Sequence, residues 1–177
     1  MGQGSVRRGA IVLGLVVGTL ALVPGVAGAT VSPAYAVSGA EYSATSTEGK
    51  FAGYAHGSTG DAAAWNADVK HAALSPTCLS EPLGCAIAPG GSVALVTSRG
   101  DRPGGSFTGG SITLVRQAYG CGRQIFHIVG QLATTVGPAA LDVALVHYRT
   151  SIFGICVTYS ATVGSDLADG IPGTLSF

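Results

Sequence analysis

The sequence predicts an all-β fold, an antiparallel β-sandwich of about nine short strands. Three observations carry that prediction. Glycine is abundant, 28 of 177 residues, and follows no Gly-x-y period; it is costly inside helices and useful in turns and bulges. Stretches of alternating apolar and polar residues recur along the chain, the period that gives a strand one buried and one solvated face. Clusters of Gly, Pro, Asp and Ser separate those stretches. Charged residues make up only 10% and apolar residues 47%, which excludes a solvated disordered chain and leaves room for one domain with its own core.

The N-terminus reads as an export signal. Arg7 and Arg8 precede an uncharged apolar run from Ile11 to Val23, shorter than the roughly 20 residues that span a bilayer. Pro24 and Gly25 end the run, and Ala27-Gly28-Ala29 offers the small residues that a signal peptidase reads. Residues 1–29 are therefore expected to be a secretory signal peptide, cleaved after Ala29, with a retained membrane anchor as the rival. Cleavage leaves seven basic residues against nine acidic ones. Neither nucleic acid nor an anionic lipid surface is an expected partner of so sparsely charged a domain, since both are held by clustered Lys and Arg. No later segment is apolar for long enough to cross a membrane as a helix.

Thr30 to Gly39 is small and polar with Pro33, and is read as a flexible arm ahead of a single domain over 40–177. Alternation starts at Glu41. Lys50–His56 is a second strand, followed by the turn Gly57–Asp61. Over 62–74 two patterns compete. Asp61 could cap a short helix with Trp65, Val69 and Ala73 on one face. Yet Trp65 to Lys70 alternates strictly, and a strand is preferred. Leu74–Gly91, with Pro76, Pro82 and Pro89, is an irregular connection. Ser92–Ser98 is a strand apolar on both faces, and Arg99–Gly105 is a hairpin loop. Ser106–Gln117 is a strand with a bulge at Gly109-Gly110, and Cys121–Leu132 and Ala140–Tyr148 follow. A turn at Arg149-Thr150-Ser151 leads into Ile152–Val163, whose Phe153, Ile155, Val157 and Tyr159 share a face. Thr174–Phe177 closes an edge. Trp65, Leu95, Leu114, Phe126, Leu145, Val157 and Tyr159 are the expected core. The strand count and turn spacing suit an immunoglobulin-like arrangement in architecture only, because Trp65 precedes every cysteine.

Cys78, Cys85, Cys121 and Cys156 are even in number, and in an oxidising compartment they are expected to pair. Cys78–Cys85 would close a loop containing Pro82 and Gly84, and Cys121–Cys156 would tie two strands. Zinc is the rival, but no Cys-x-x-Cys occurs.

Little else in the sequence carries chemistry. His127 and His147 lie on successive strands, where they could meet across a ladder beside Asp142 as a partial metal site; an exposed or backbone-bonded histidine is the plainer reading. Asp166 and Asp169 share a Gly-rich loop but are too few for calcium. No Gly-x-Ser-x-Gly elbow or phosphate-cradling loop is present. Arg99-Gly100-Asp101 matches the tripeptide displayed by integrin ligands, although any polar hairpin loop uses these residues. No catalytic residue, cofactor or metal is assigned. The expected function is a secreted, non-enzymatic binding or envelope-associated module, contacting an extracellular or cell-surface protein or glycan. The alternatives are a small protease inhibitor presenting the Cys78–Cys85 loop, which a disulfide would preorganise, or a small secreted hydrolase.

Overall fold

The computed structural model describes residues 33–177; the leader expected over 1–29 lies outside them. Ten strands follow in chain order. They are β1 (Ala34–Ala44), β2 (Glu48–Gly57), β3 (Ala62–Lys70), β4 (Cys85–Ala86), β5 (Ser92–Thr97), β6 (Gly104–Gln117), β7 (Gln124–Thr134), β8 (Gly137–Ile152), β9 (Ile155–Gly164) and β10 (Thr174–Ser176). One short helix, α1 (Pro76–Ser80), lies in the connection between β3 and β4. Proline at its first turn and Ser75, whose Oγ accepts from the Cys78 amide at 3.3 Å, start it.

All strands belong to one antiparallel sheet, and nearly every one pairs with its neighbour in sequence. The ladder then closes on itself. β9 pairs with β1 through Gly39↔Val163 and Ala40↔Thr162, while β10 bridges β1 and β8 through Ala36↔Thr174 and Leu141↔Leu175. The result is a meander rolled into a barrel, with β9 and β10 sharing the closing position. The expected antiparallel all-β class stands. The two separate sheets of an immunoglobulin-like sandwich are not found, because each hairpin pairs onward with the next and the last strands meet the first.

One face of each strand fills the interior. Trp65, Leu95, Phe107, Phe126, Ile128, Leu141, Leu145 and Leu175 belong to a single buried cluster. A smaller cluster on the outer face of β7 and β8, formed by Ile125 and Ala144, is covered by Ile171 from the loop before β10. Trp65 explains two glycines. Gly39, Gly53 and Trp65 stand in register across β1, β2 and β3, and the indole Nε1 donates to the Ser38 carbonyl at 3.0 Å. A Cβ on Gly53 would land on that same carbonyl oxygen.

Several expectations need correction. The arm expected at 30–39 is strand from Ala34 onward, held by β2 and β10. Residues 62–70 are strand, so the helix considered over 62–74 does not form. The turn expected at Arg149–Ser151 is strand too; the reversal comes at Phe153-Gly154, where both φ angles are positive, 50° and 79°. Val157 and Tyr159 are not core residues but are 40% and 68% exposed. Leu114 is partly buried and packs against the interior. The bulge predicted near Gly109 appears as a register shift between Phe107 and Gly109.

Both expected disulfides form. Cys78–Cys85 has a Cα separation of 4.9 Å and Cys121–Cys156 one of 5.2 Å, and neither leaves a free thiol. The second joins the turn after β6 to the start of β9, across the end of β8.

Candidate functional site

Strand direction places four connections at one mouth of the barrel: the turn at 45–47, the connection 71–91, the turn at 118–123 and the turn at 153–154. Just inside this mouth lies a cavity of about 70 Å³. Phe51, Val69, Ile112, Phe126, Ile128 and Leu145 supply its apolar wall, and Glu41, Thr45, Glu48, His71 and His147 are its polar groups.

Glu41 and His147 form a pair across the closing seam. His147 Nε2 and Glu41 Oε2 are 3.0 Å apart, and the Glu41 side chain is only 9% exposed. Two features of the backbone put the carboxylate there. β1 slips register between Glu41 and Ser43, a bulge of the kind that re-aims a neighbouring side chain. On β2, Gly49 leaves the space open, since a Cβ there would lie 2.9 Å from Glu41 Oε1 and 3.0 Å from the Phe51 ring. The edge of Phe126 meets the His147 ring at 5.2 Å between centroids. His71 bonds the Ala72 carbonyl through Nδ1 at 2.8 Å, so Nδ1 carries the proton in the neutral ring and Nε2 is left as an acceptor.

The cavity shares Glu41, Ala44 and His147 with a groove in the wall. Beyond Ala40↔Thr162, β1 and β9 have no further paired residues. The groove between them, about 350 Å³, is lined by Glu41, Tyr42, Ser43 and Ala44 on one side and by Thr158 to Ala161 on the other, with His147 at its base. A register shift between Tyr148 and Arg149 against β9 leaves Tyr159 as the extra residue beside this opening. Strand edges with no pairing beyond Ala40 and Thr162 therefore flank the Glu41–His147 pair.

The residues singled out from sequence fall elsewhere or divide. In the β7–β8 ladder His127 faces Ala144 and His147 faces Gln124. Residues 124 and 127 differ by an odd number, so the two histidines point to opposite faces of the sheet. They do not share a site. His127 meets Asp142 at 2.7 Å on the outside, while His147 turns inward to Glu41. No group of three metal-binding side chains exists among the described residues. Asp169 pairs with Arg116, and together they hold the covering loop. Arg99, Gly100 and Asp101 sit at the opposite end of the barrel. There the guanidinium of Arg99 meets Asp61 at 2.8 Å and Asp101 at 3.7 Å, and Asp101 is further tied to Thr97. Of the Cys78–Cys85 loop, α1 takes the first part and leaves Glu81–Gly84 as non-helical backbone. No serine or threonine hydroxyl bonds His147 among the described residues.

Sequence reasoning missed Glu41 because a lone acid at the start of an alternating run looks solvated. The one available signal was its period-two spacing from the inward-facing Tyr35 and Val37 on the same strand. Comparison with known proteins returns no matching family model, no similar curated sequence and no similar solved structure.

Proposed function

We propose that this protein is an exported, non-enzymatic binding module whose ligand places a small apolar end in the mouth cavity and a hydrogen-bonding group against Glu41 and His147. The observation that supports the reading most is the cavity itself: apolar walls beside the part-buried Glu41–His147 pair, at the mouth of a closed barrel where small-molecule sites concentrate. Its size selects the ligand. A dry cavity of ~150 Å³ takes one benzene, so a space of about 70 Å³ admits the end of an alkyl chain or a small side chain. The rest of an elongated ligand would lie in the groove between β1 and β9.

Export is part of the proposal. It is supported by the basic-then-apolar N-terminal sequence with small residues at 27 and 29, by two disulfides, and by the lack of any helix among the described residues long and apolar enough to cross a membrane. Hydrolysis has weaker support. A histidine oriented by a carboxylate is half of a nucleophile-activating set, but among the described residues no serine or threonine hydroxyl hydrogen-bonds to it.

The test is a titration of the isotopically labelled protein with n-butanol, n-octanol and octanoic acid, followed by amide and methyl chemical shifts. Saturable shifts confined to Val69, Ile112, Leu145 and their neighbours are expected, and Val69→Phe, which fills the space, should abolish them. Shifts scattered over the surface, or unchanged by Val69→Phe, would remove the cavity from consideration.

A further inference from the structure

At the same mouth, two turns project beyond the barrel rim and are stapled to each other by Cys121–Cys156. Their tips are apolar and fully solvated. Phe153 is 101% exposed and Tyr119 is 104% exposed, and Ile152 and Ile155 flank Phe153 with large exposed surfaces. Scattered apolar residues on a surface need no explanation, but a contiguous set at a projecting tip does.

Phe153 is the sharpest case. With Gly154 it forms the two-residue turn between β8 and β9, and both residues have positive φ. That turn geometry favours Asn, Asp or Gly at its first position, and a bulky side chain there is strained. Phe153 is the only non-glycine residue with positive φ among those described. Its ring packs into no core, so folding gains nothing from the strain. A residue costly to the fold and fully presented to solvent is explained by what it touches outside the molecule.

Charge narrows the partner. Residues 118–123 and 148–160 contain two arginines, Arg123 and Arg149, and no carboxylate. Neither arginine has an acidic partner among the described residues, whereas Arg99 and Arg116 both do. The tip is thus positive on a domain whose acids outnumber its bases. Low overall charge argued against lipid in the sequence, but net charge averages over the surface and conceals a local reversal.

We propose that this stapled tip docks the protein on an anionic phospholipid bilayer, with Phe153 and Tyr119 in the interface and Arg123 and Arg149 against the headgroups. Aromatic rings favour the headgroup level and long basic side chains lie along apolar surface while keeping their charge in water. Juxtaposed apolar and basic groups are what reversible interfacial binding needs. The disulfide holds the two tips together before contact, which lowers the ordering cost of binding. The inference stands on residues separate from the cavity and does not depend on a ligand there.

The experiment is vesicle co-flotation of a chain beginning at Thr30, which carries the whole closed ladder. Vesicles of phosphatidylglycerol with phosphatidylcholine are compared with phosphatidylcholine alone. Co-flotation with the anionic vesicles is expected, reduced about tenfold or more by Phe153→Asn. Because asparagine suits the turn, this variant should melt at the same or a higher temperature than the parent, so lost binding cannot be lost folding. Arg123→Gln with Arg149→Gln should remove the preference for anionic vesicles. The proposal is overturned if neither vesicle carries the protein, if Phe153→Asn floats like the parent, or if the double glutamine variant keeps the anionic preference. It is equally overturned if Phe153→Asn abolishes only self-association in light scattering, which would assign the tip to a second copy.

Discussion

Gly53 and Gly49 show how single residues shape the interior. At Gly53 the obstacle is backbone, the Ser38 carbonyl that also accepts from Trp65. Backbone there cannot move without parting β1 from β2, so Gly53→Ala is expected to lose about 2 kcal/mol or more of stability, measured by urea unfolding. At Gly49 the nearest obstacle is the Glu41 carboxylate, so Gly49→Ala should act on the site as well as on the fold. The Glu41–His147 pair gives a further prediction. His147→Ala leaves a largely buried carboxylate without its partner, and a loss of about 2 kcal/mol is expected. Glu41→Gln with His147→Gln should recover part of that loss, because an uncharged pair can still hydrogen-bond. If the double variant is as unstable as the single one, the pair matters through packing and not through charge. From sequence, Trp65 as a core residue was legible from its alternating neighbours. Glu41 as an interior acid was not, because it depends on a bulge and on a glycine in another strand.

Among the elements, the two disulfides differ in what they close. Cys121–Cys156 spans 35 residues and Cys78–Cys85 spans 7. Loop-closure entropy grows as 1.5R ln n, so the longer link should contribute roughly 1.4 kcal/mol more. Thermal melts of the two double-serine variants check this, and an equal or greater loss from removing the short link would show that local order around α1 outweighs loop length. Pairing was legible because four cysteines in an apolar, glycine-rich chain leave few alternatives. Strand positions were mostly legible too, since alternation marks them wherever one face is buried. β9 shows where that reasoning fails. Alternation assigns Ile155, Val157 and Tyr159 to one face but does not say that a core lies on that side. The register shift against β8 inserts Tyr159 as an extra residue, so Ile155 and Val157 fall on the face opposite the inward Ala161 and Val163. The turn was displaced for a related reason. Arg149-Thr150-Ser151 is polar, but Gly154 provides the positive φ that reverses the chain.

At the scale of the whole molecule, closure decides where the site is. Each hairpin could be read from its own residues, yet whether consecutive hairpins stack as two sheets or roll into one depends on pairing between the first and last strands. Those contacts are about 120 residues apart in sequence, and no local pattern encodes them. The seam between β1 and β9 is paired at Gly39 and Ala40 and open beyond them, and that opening is the route the proposed ligand would take to Glu41 and His147. The measurement that tests this most directly is a cross-strand nuclear Overhauser map of the labelled protein. Contacts are predicted between Gly39 and Val163, between Ala40 and Thr162, and between Ala36 and Thr174, with no ladder contacts continuing from Tyr42 to Ser160. A map lacking the first set, with β1 and β9 in separate sheets, or one in which the ladder runs unbroken past Tyr42, would contradict a closed barrel with an open mouth.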